Sequence, residues 1–183
     1  FQTKTYGDIY RSLGYLAGDT VTEQGTRLAR RYTELDLLAA ESLREGVWDG
    51  LDPAELAACV SALVYEARMA DDVGPPRLPP GPVRDRLAAM VKLWAQLDGL
   101  EQEHRLDFQR EPDLGFAWAA YRWASNAPLE KVLTESDLPA GDFVRWVRQL
   151  IDLLGQIADA VGDGPLRPVA EQAVTRLRRG VVA

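Results

Sequence analysis

The apolar residues of this chain recur at intervals of three and four almost from end to end, and short Gly, Pro and Asp punctuation separates the runs. That spacing gathers apolar side chains on one face of an α-helix, so the pattern predicts a series of amphipathic helices. The most regular run is residues 141–161, where Phe143, Val147, Leu150, Leu154, Ile157 and Val161 alternate at steps of four and three. Another covers residues 83 to about 104, with Val83, Leu87, Met90, Trp94 and Leu97 on one side. Asp52-Pro53-Ala54-Glu55 reads as a helix start. Asp52 can accept from free backbone N–H groups, Pro53 suits the first turn, and Glu55 can answer in a capping box. Leu56, Val60, Leu63, Val64 and Ala67 then form the apolar face.

Further helices are expected over residues 8–17, in a short piece capped by Thr22, from Thr33 to a stop at Gly46, over 114–125, and from Pro128 to about 136. A last one follows the turn at 162–165 and carries Val169, Ala173, Val174 and Leu177. Residues 105–112 read as a loop, and no strand or fixed-period repeat is predicted. Residues 74–82 hold five of the chain's prolines and read as a stiff linker. The predicted organisation is all-α: a multi-helix bundle with one long central helix at about 141–161. It forms a single domain over 1–183, with sub-parts of about 1–72 and 83–183 joined by the linker.

Composition narrows the function classes. With 183 residues, 46% of them hydrophobic and 27% charged, the chain can bury one sizeable core. A net charge of −7 argues against a strong free-standing nucleic-acid binder, while leaving room for a local basic face. The one cysteine, Cys59, follows Ala57 and Ala58 and reads as a small buried thiol. No basic segment followed by an apolar run comes after Phe1, and no apolar stretch approaches a membrane span, so a cytoplasmic setting is expected. The start at Phe1 without Met predicts a piece of a longer protein.

Much chemistry is missing. A phosphate-binding loop needs a Gly-rich turn followed by Lys and Ser or Thr, and no such string occurs. The G-x-S-x-G and H-E-x-x-H strings are absent too. Glu101-Gln102-Glu103-His104 is a single E-x-x-H copy, where a di-iron bundle needs two, and reads as a charged helix end. Glu34, Glu41 and Glu45 read as a solvated or partner-facing edge, and no catalytic or metal-binding residue is assigned.

One feature can carry function. On the helix 141–161, Arg145, Arg148, Gln149, Asp152 and Gln156 lie opposite the apolar seam. Two guanidinium groups and an amide in the first turns can contact phosphates and base edges, and the flanking Trp146 can stack on a base. The plainer reading is a solvated helix face with Trp146 packed against a neighbour. The helix from Pro128, the turn at 134–137 and the helix 141–161 also outline a helix-turn-helix, as many plain bundles do. A DNA-binding regulator and a structural or partner-binding bundle therefore stand as alternatives. In the latter, the aromatics Phe116, Trp118, Tyr121 and Trp123 would be the docking face or the core.

Several strings in order resemble a known family. They are Leu13-Gly14-Tyr15-Leu16, Val21-Thr22 with Gly25, residues 36–41, Gly46, residues 51–58 and residues 61–68. The second half adds Tyr121-Arg122-Trp123, Leu129-Glu130, Ser136-Asp137, residues 141–145 and the ending at 178–183. Together they are similar to the DSHCT domain of Ski-type superfamily-2 RNA helicases, most of all its HelY-like branch. The resemblance implies a helical C-terminal domain packed on two RecA-like motor domains of the same chain, which hold ATP and Mg. It also implies a ratchet helix, here 141–161, whose outward residues touch single-stranded RNA as the ATP-driven motor closes. Arg145 and Arg148 fall on basic positions of that helix. Gln149 stands where eukaryotic members carry an RNA-contacting Arg, so the amide remains and the charge is lost. Ala67 stands where those members carry an RNA-contacting Glu, flanked here by Glu66 and Arg68.

Overall fold

The computed structural model describes residue 13, residues 16–17 and 20–22, and residues 37–67, 74–103 and 110–183. Seven α-helices lie among the described residues: α1 (Leu37–Arg44), α2 (Pro53–Val64), α3 (Val83–Glu103), α4 (Ala117–Ala124), α5 (Leu129–Ser136), α6 (Ala140–Val161) and α7 (Leu166–Leu177). Short 3-10 turns at Leu114–Phe116 and Gly180–Val182 precede α4 and follow α7. The fold is an all-α multi-helix bundle. Its one β feature among the described residues is a pair of two-residue strands, β1 (Leu16–Ala17) and β2 (Thr20–Val21), with Ala17 opposite Thr20. The helix expected over 8–17 therefore does not include Leu16 and Ala17. They are extended instead, with Leu16 opposite Val21 and Ala17 opposite Thr20. Leu13, the other described residue of that expected helix, lies in a turn, while the rest of it, the piece after Thr22 and the start at Thr33 lie outside the described residues.

The core forms around α2. Its sequence is apolar on nearly every side, and it packs against α3, α4, α6 and α7. Ala54, Ala57, Ala58, Cys59, Ser61 and Ala62 are all buried, and their small side chains let the neighbouring helices approach closely. The buried Ser61 hydroxyl donates to the Ala58 carbonyl at 2.6 Å, so this polar group does not oppose the packing. The capping box is formed as its residues require. Asp52 Oδ1 accepts from the Glu55 N–H at 2.8 Å, and Glu55 Oε1 accepts from the Asp52 N–H at 3.0 Å. Such a cap contributes about 1 kcal/mol.

Cys59 lies fully inside, as its alanine neighbours predict. Burial first, and the Glu55 carboxylate second, push its thiol up to about 12, against a partial opposing effect from Arg86. An Ellman assay at pH 8 should give no rapid reaction with the folded chain and one thiol per chain after denaturation; fast labelling of the folded chain would contradict the buried site. The folded chain keeps a proton that the unfolded chain releases above about pH 9. This contribution to stability is present below pH 9 and is lost as the pH rises toward 12.

Around α2, the elements take the positions that the spacing predicts. α1 stops at Gly46, whose φ of +68° is left-handed and where a Cβ would meet Asp49 Oδ2 at 2.7 Å. Val83, Leu87, Met90 and Leu97 of α3 are buried, and the Trp48 indole N–H meets Met90 Sδ at 3.4 Å. α1 and the far half of α3 share a smaller cluster of Leu37, Leu38, Ala40 and Leu97. The Pro-rich segment before α3 lies against the body: Pro79 is buried, Leu78 packs on the core, and the Arg77 guanidinium stands 3.8 Å over the Trp118 ring. The main core draws residues from both sides of this segment.

One expectation is overturned. Glu41 is not a solvated edge residue: it is 3% exposed and pairs with Arg44 at 3.3 Å. Arg44, one helical turn on, supplies the charge that lets the carboxylate sit inside. Glu45 is exposed as expected, while Glu34 lies outside the described residues. No described helix is long and apolar enough to cross a membrane.

Candidate nucleic-acid interface on α6

α6 begins after Pro139, whose φ of −61° suits a helix start, and ends at Gly162 with φ +60°. Phe143, Val147, Leu150, Leu154 and Ile157 are fully buried, so the predicted seam faces α2 and α7. The opposite side is thereby turned outward. Arg145, Arg148, Gln149 and Asp152 are exposed, and Gln156 is half-buried. From Arg145 to Gln156 this row rises about 16 Å along the helix.

The polar and aromatic residues of the first turns differ in their surroundings. Asp142 sits in the first turn, where the helix dipole favours a carboxylate, and pairs with Arg145 at 3.5 Å. The pair is largely solvated and adds only a few tenths of a kcal/mol. The Arg145 guanidinium lies 4.8 Å from the Trp146 ring centre. Trp146 is half-buried and packs on the main core. Its ring meets Tyr65 edge-on, with centroids 5.3 Å apart and planes at 72°. Trp146 is thus a packed ring with one flank toward Arg145. The side chains of Arg148 and Gln149 make no hydrogen bond or ion pair among the described residues and present their polar ends to solvent. Arg68 lies outside the described residues.

Three residues that the sequence reading did not single out hold the corner beside Arg145 and Trp146. Tyr65 ends α2 with extended backbone and stacks on Phe116 at 5.3 Å and 24°. Arg110 donates to the carbonyls of Tyr65 at 2.7 Å and Leu63 at 3.0 Å, which closes the C-terminal end of α2. Asp113 accepts from the Ala67 N–H and the Gly115 N–H, both at 2.9 Å. The Asp-x-Gly string before an aromatic helix was the available signal for Asp113. Burial first, then the Asp113 and Asp142 carboxylates, push the Tyr65 phenol above its ordinary value, so it stays a neutral donor.

The aromatics of α4 and of the turn before it divide. Phe116 and Trp123 are buried, whereas Trp118 and Tyr121 are half-buried. Glu135 of α5 accepts from the Trp118 indole at 2.9 Å and from Arg122 at 3.1 Å. The Arg122 hydrogen bond, more than the indole, holds the Glu135 carboxyl below the usual carboxylate range. These charges are matched within the protein and serve to tie α4 to α5. No group of three or more His, Cys, Asp or Glu suited to a metal occurs among the described residues.

Comparison with known proteins places this geometry. The model of the DSHCT (NUC185) domain matches residues 18–183. A protein of Mycobacterium leprae named probable helicase HelY is 47% identical over 173 residues, covering 89% of this chain and 19% of the relative. Human superkiller complex protein 2 is 29% identical over 182 residues, covering 96% of this chain and 14% of its own length. The ATP-dependent RNA helicase mtr4 of Schizosaccharomyces pombe is 27% identical over 185 residues, covering 95% of this chain and 16% of its own. The chain thus spans about a fifth or less of these relatives. With the family model matched over nearly its whole length, the chain belongs to the DSHCT domain family.

Proposed function

We propose that this chain is the helical C-terminal domain of an ATP-dependent RNA helicase and that the open face of α6 guides single-stranded RNA past the motor domains. The observation that carries the reading is the outward row of Arg145, Arg148 and Gln149 on a helix whose other side is locked in the core. Guanidinium groups suit phosphate oxygens, and the amide suits a base or ribose edge. The names of the HelY and mtr4 relatives support the helicase setting. By the likeness to these helicases, ATP and Mg would be held by RecA-like motor domains of the same protein, and RNA and those domains are its partners in this reading. The reading sets this work in the cytoplasm.

Two arginines give weak, salt-sensitive binding. In the full-length protein, the Arg145→Ala, Arg148→Ala double change should lower single-stranded RNA affinity about tenfold and reduce unwinding. The slope of log affinity against log salt should fall by about 1.4, because each charge accounts for about 0.7 on a single strand. Affinity, salt slope and unwinding all equal to those of the unaltered protein would sink the reading. Tight binding to one duplex DNA sequence would favour the regulator alternative instead.

A further inference from the structure

We infer that Tyr65 is a positioning residue for the α6 face: its ring fixes the plane of Trp146, and Trp146 in turn holds Arg145 in a direction ready for the strand. The inference rests on the RNA-guiding reading of α6. A continuous series of rings runs from the core to the surface. Phe143 of α6 meets Phe116 at 6.0 Å, Phe116 stacks on Tyr65 at 5.3 Å, and Tyr65 meets Trp146 edge-on at 72° and 5.3 Å. Arg145 lies over the outer end of that series, 4.8 Å from the Trp146 ring centre.

Tyr65 is itself held from three sides. Arg110 takes its carbonyl at 2.7 Å, Asp113 takes the N–H of Ala67 two residues on at 2.9 Å, and Gly115 leaves space for the ring. A Cβ at Gly115 would stand 2.9 Å from Tyr65 Cε1, so any larger residue there must push the ring aside. An arginine on an exposed helix face loses rotamer freedom when it grips a phosphate. A guanidinium already resting on a fixed indole has less to lose, and its affinity rises accordingly. The action runs through the ring rather than the hydroxyl, so phenylalanine can take the place of Tyr65 and leucine cannot.

A double-mutant cycle on the full-length protein tests this, with affinity for a labelled single-stranded oligoribonucleotide as the readout and a thermal melt of each variant alongside. Tyr65→Leu and Arg145→Ala should each weaken binding about two- to fivefold, the size of an exposed cation–π contact. Their combination should be no weaker than Arg145→Ala alone, since removing the guanidinium leaves the ring nothing to position. Tyr65→Phe should bind as the unaltered protein does. Gly115→Ala, whose Cβ would crowd the Tyr65 ring at 2.9 Å and Asp113 Oδ1 at 3.0 Å, should repeat the Tyr65→Leu result and carries the cycle where Tyr65→Leu lowers the melt below the assay temperature. Additive losses from Tyr65→Leu and Arg145→Ala, or a Tyr65→Phe variant as weak as Tyr65→Leu, would overturn the positioning role and leave the α6 reading standing. A silent Arg145→Ala would also overturn the positioning role, and the double change with Arg148→Ala then decides whether the α6 reading stands.

Discussion

Replacing Trp123 with alanine is expected to destabilise the folded chain by about 4 kcal/mol, read as a shift of the urea midpoint at constant slope. Trp123 is 2% exposed and occupies the place where α4, α6 and the end of α7 meet. Phe143 of α6 meets its ring at 84° and 5.3 Å, and the Arg179 guanidinium lies 3.5 Å from the ring centre on another side. Its indole N–H donates at 2.8 Å to the Leu177 carbonyl at the end of α7, which also accepts from the Arg179 backbone N–H at 3.0 Å. The substitution therefore opens a cavity and strips a hydrogen bond and a ring from two partners at once. Trp118→Ala, in the same helix but half-buried, is the matched control and should cost far less. Equal costs for the two would show that the account of packing around Trp123 is wrong.

Arg179→Ala should be the largest loss from a polar residue, about 2–3 kcal/mol, the range of hydrogen bonds to a charged group. The Arg179 Nη2 donates to the carbonyls of Trp123 at 2.8 Å and Ala127 at 2.7 Å, and Nε reaches the Trp123 carbonyl at 3.3 Å. One planar group thus ties the segment after α7 to the last turn of α4 and the segment that follows it, while stacking on the Trp123 ring. Gly180 follows with φ +53°, and a Cβ there would stand 3.4 Å from the Trp123 ring. Burial draws the Arg179 guanidinium below its ordinary value, but an arginine stays charged across the working range, so the clasp should hold from acid to mildly alkaline pH. Arg179→Lys should recover little, because an ammonium cannot both fork to two carbonyls and lie flat on an indole. Full recovery by lysine, in the same urea titration, would mean that charge alone matters at this position.

What the sequence made legible was local. The Asp52–Glu55 box, the left-handed Gly46, and the seam of α6 with its open face all depend on residues within one or two helical turns. What it concealed depends on long-range packing. Glu41 looked like surface because its helix pattern was polar there, yet the packing of α1 buries it with Arg44 as its counter-ion. Proline content gave stiffness to residues 74–82 but not the docking of Arg77 onto Trp118, which requires knowing where α4 lies. At the candidate site, periodicity placed Arg145, Arg148 and Gln149 correctly on one side of α6. It left two fates open for Trp146, and it had no means of finding Tyr65, Arg110 and Asp113, which come to the same corner from distant parts of the chain.

The seam of α6 has a mechanical consequence. This helix of 22 residues is a rod about 33 Å long. Phe143, Val147, Leu150, Leu154 and Ile157 pin it at nearly every turn, with α2 and α7 as its bed. A rod held so tightly neither slides nor bends alone without opening voids in a close-packed interior. Displacement of its outer face is therefore displacement of the helices packed beneath it as one body.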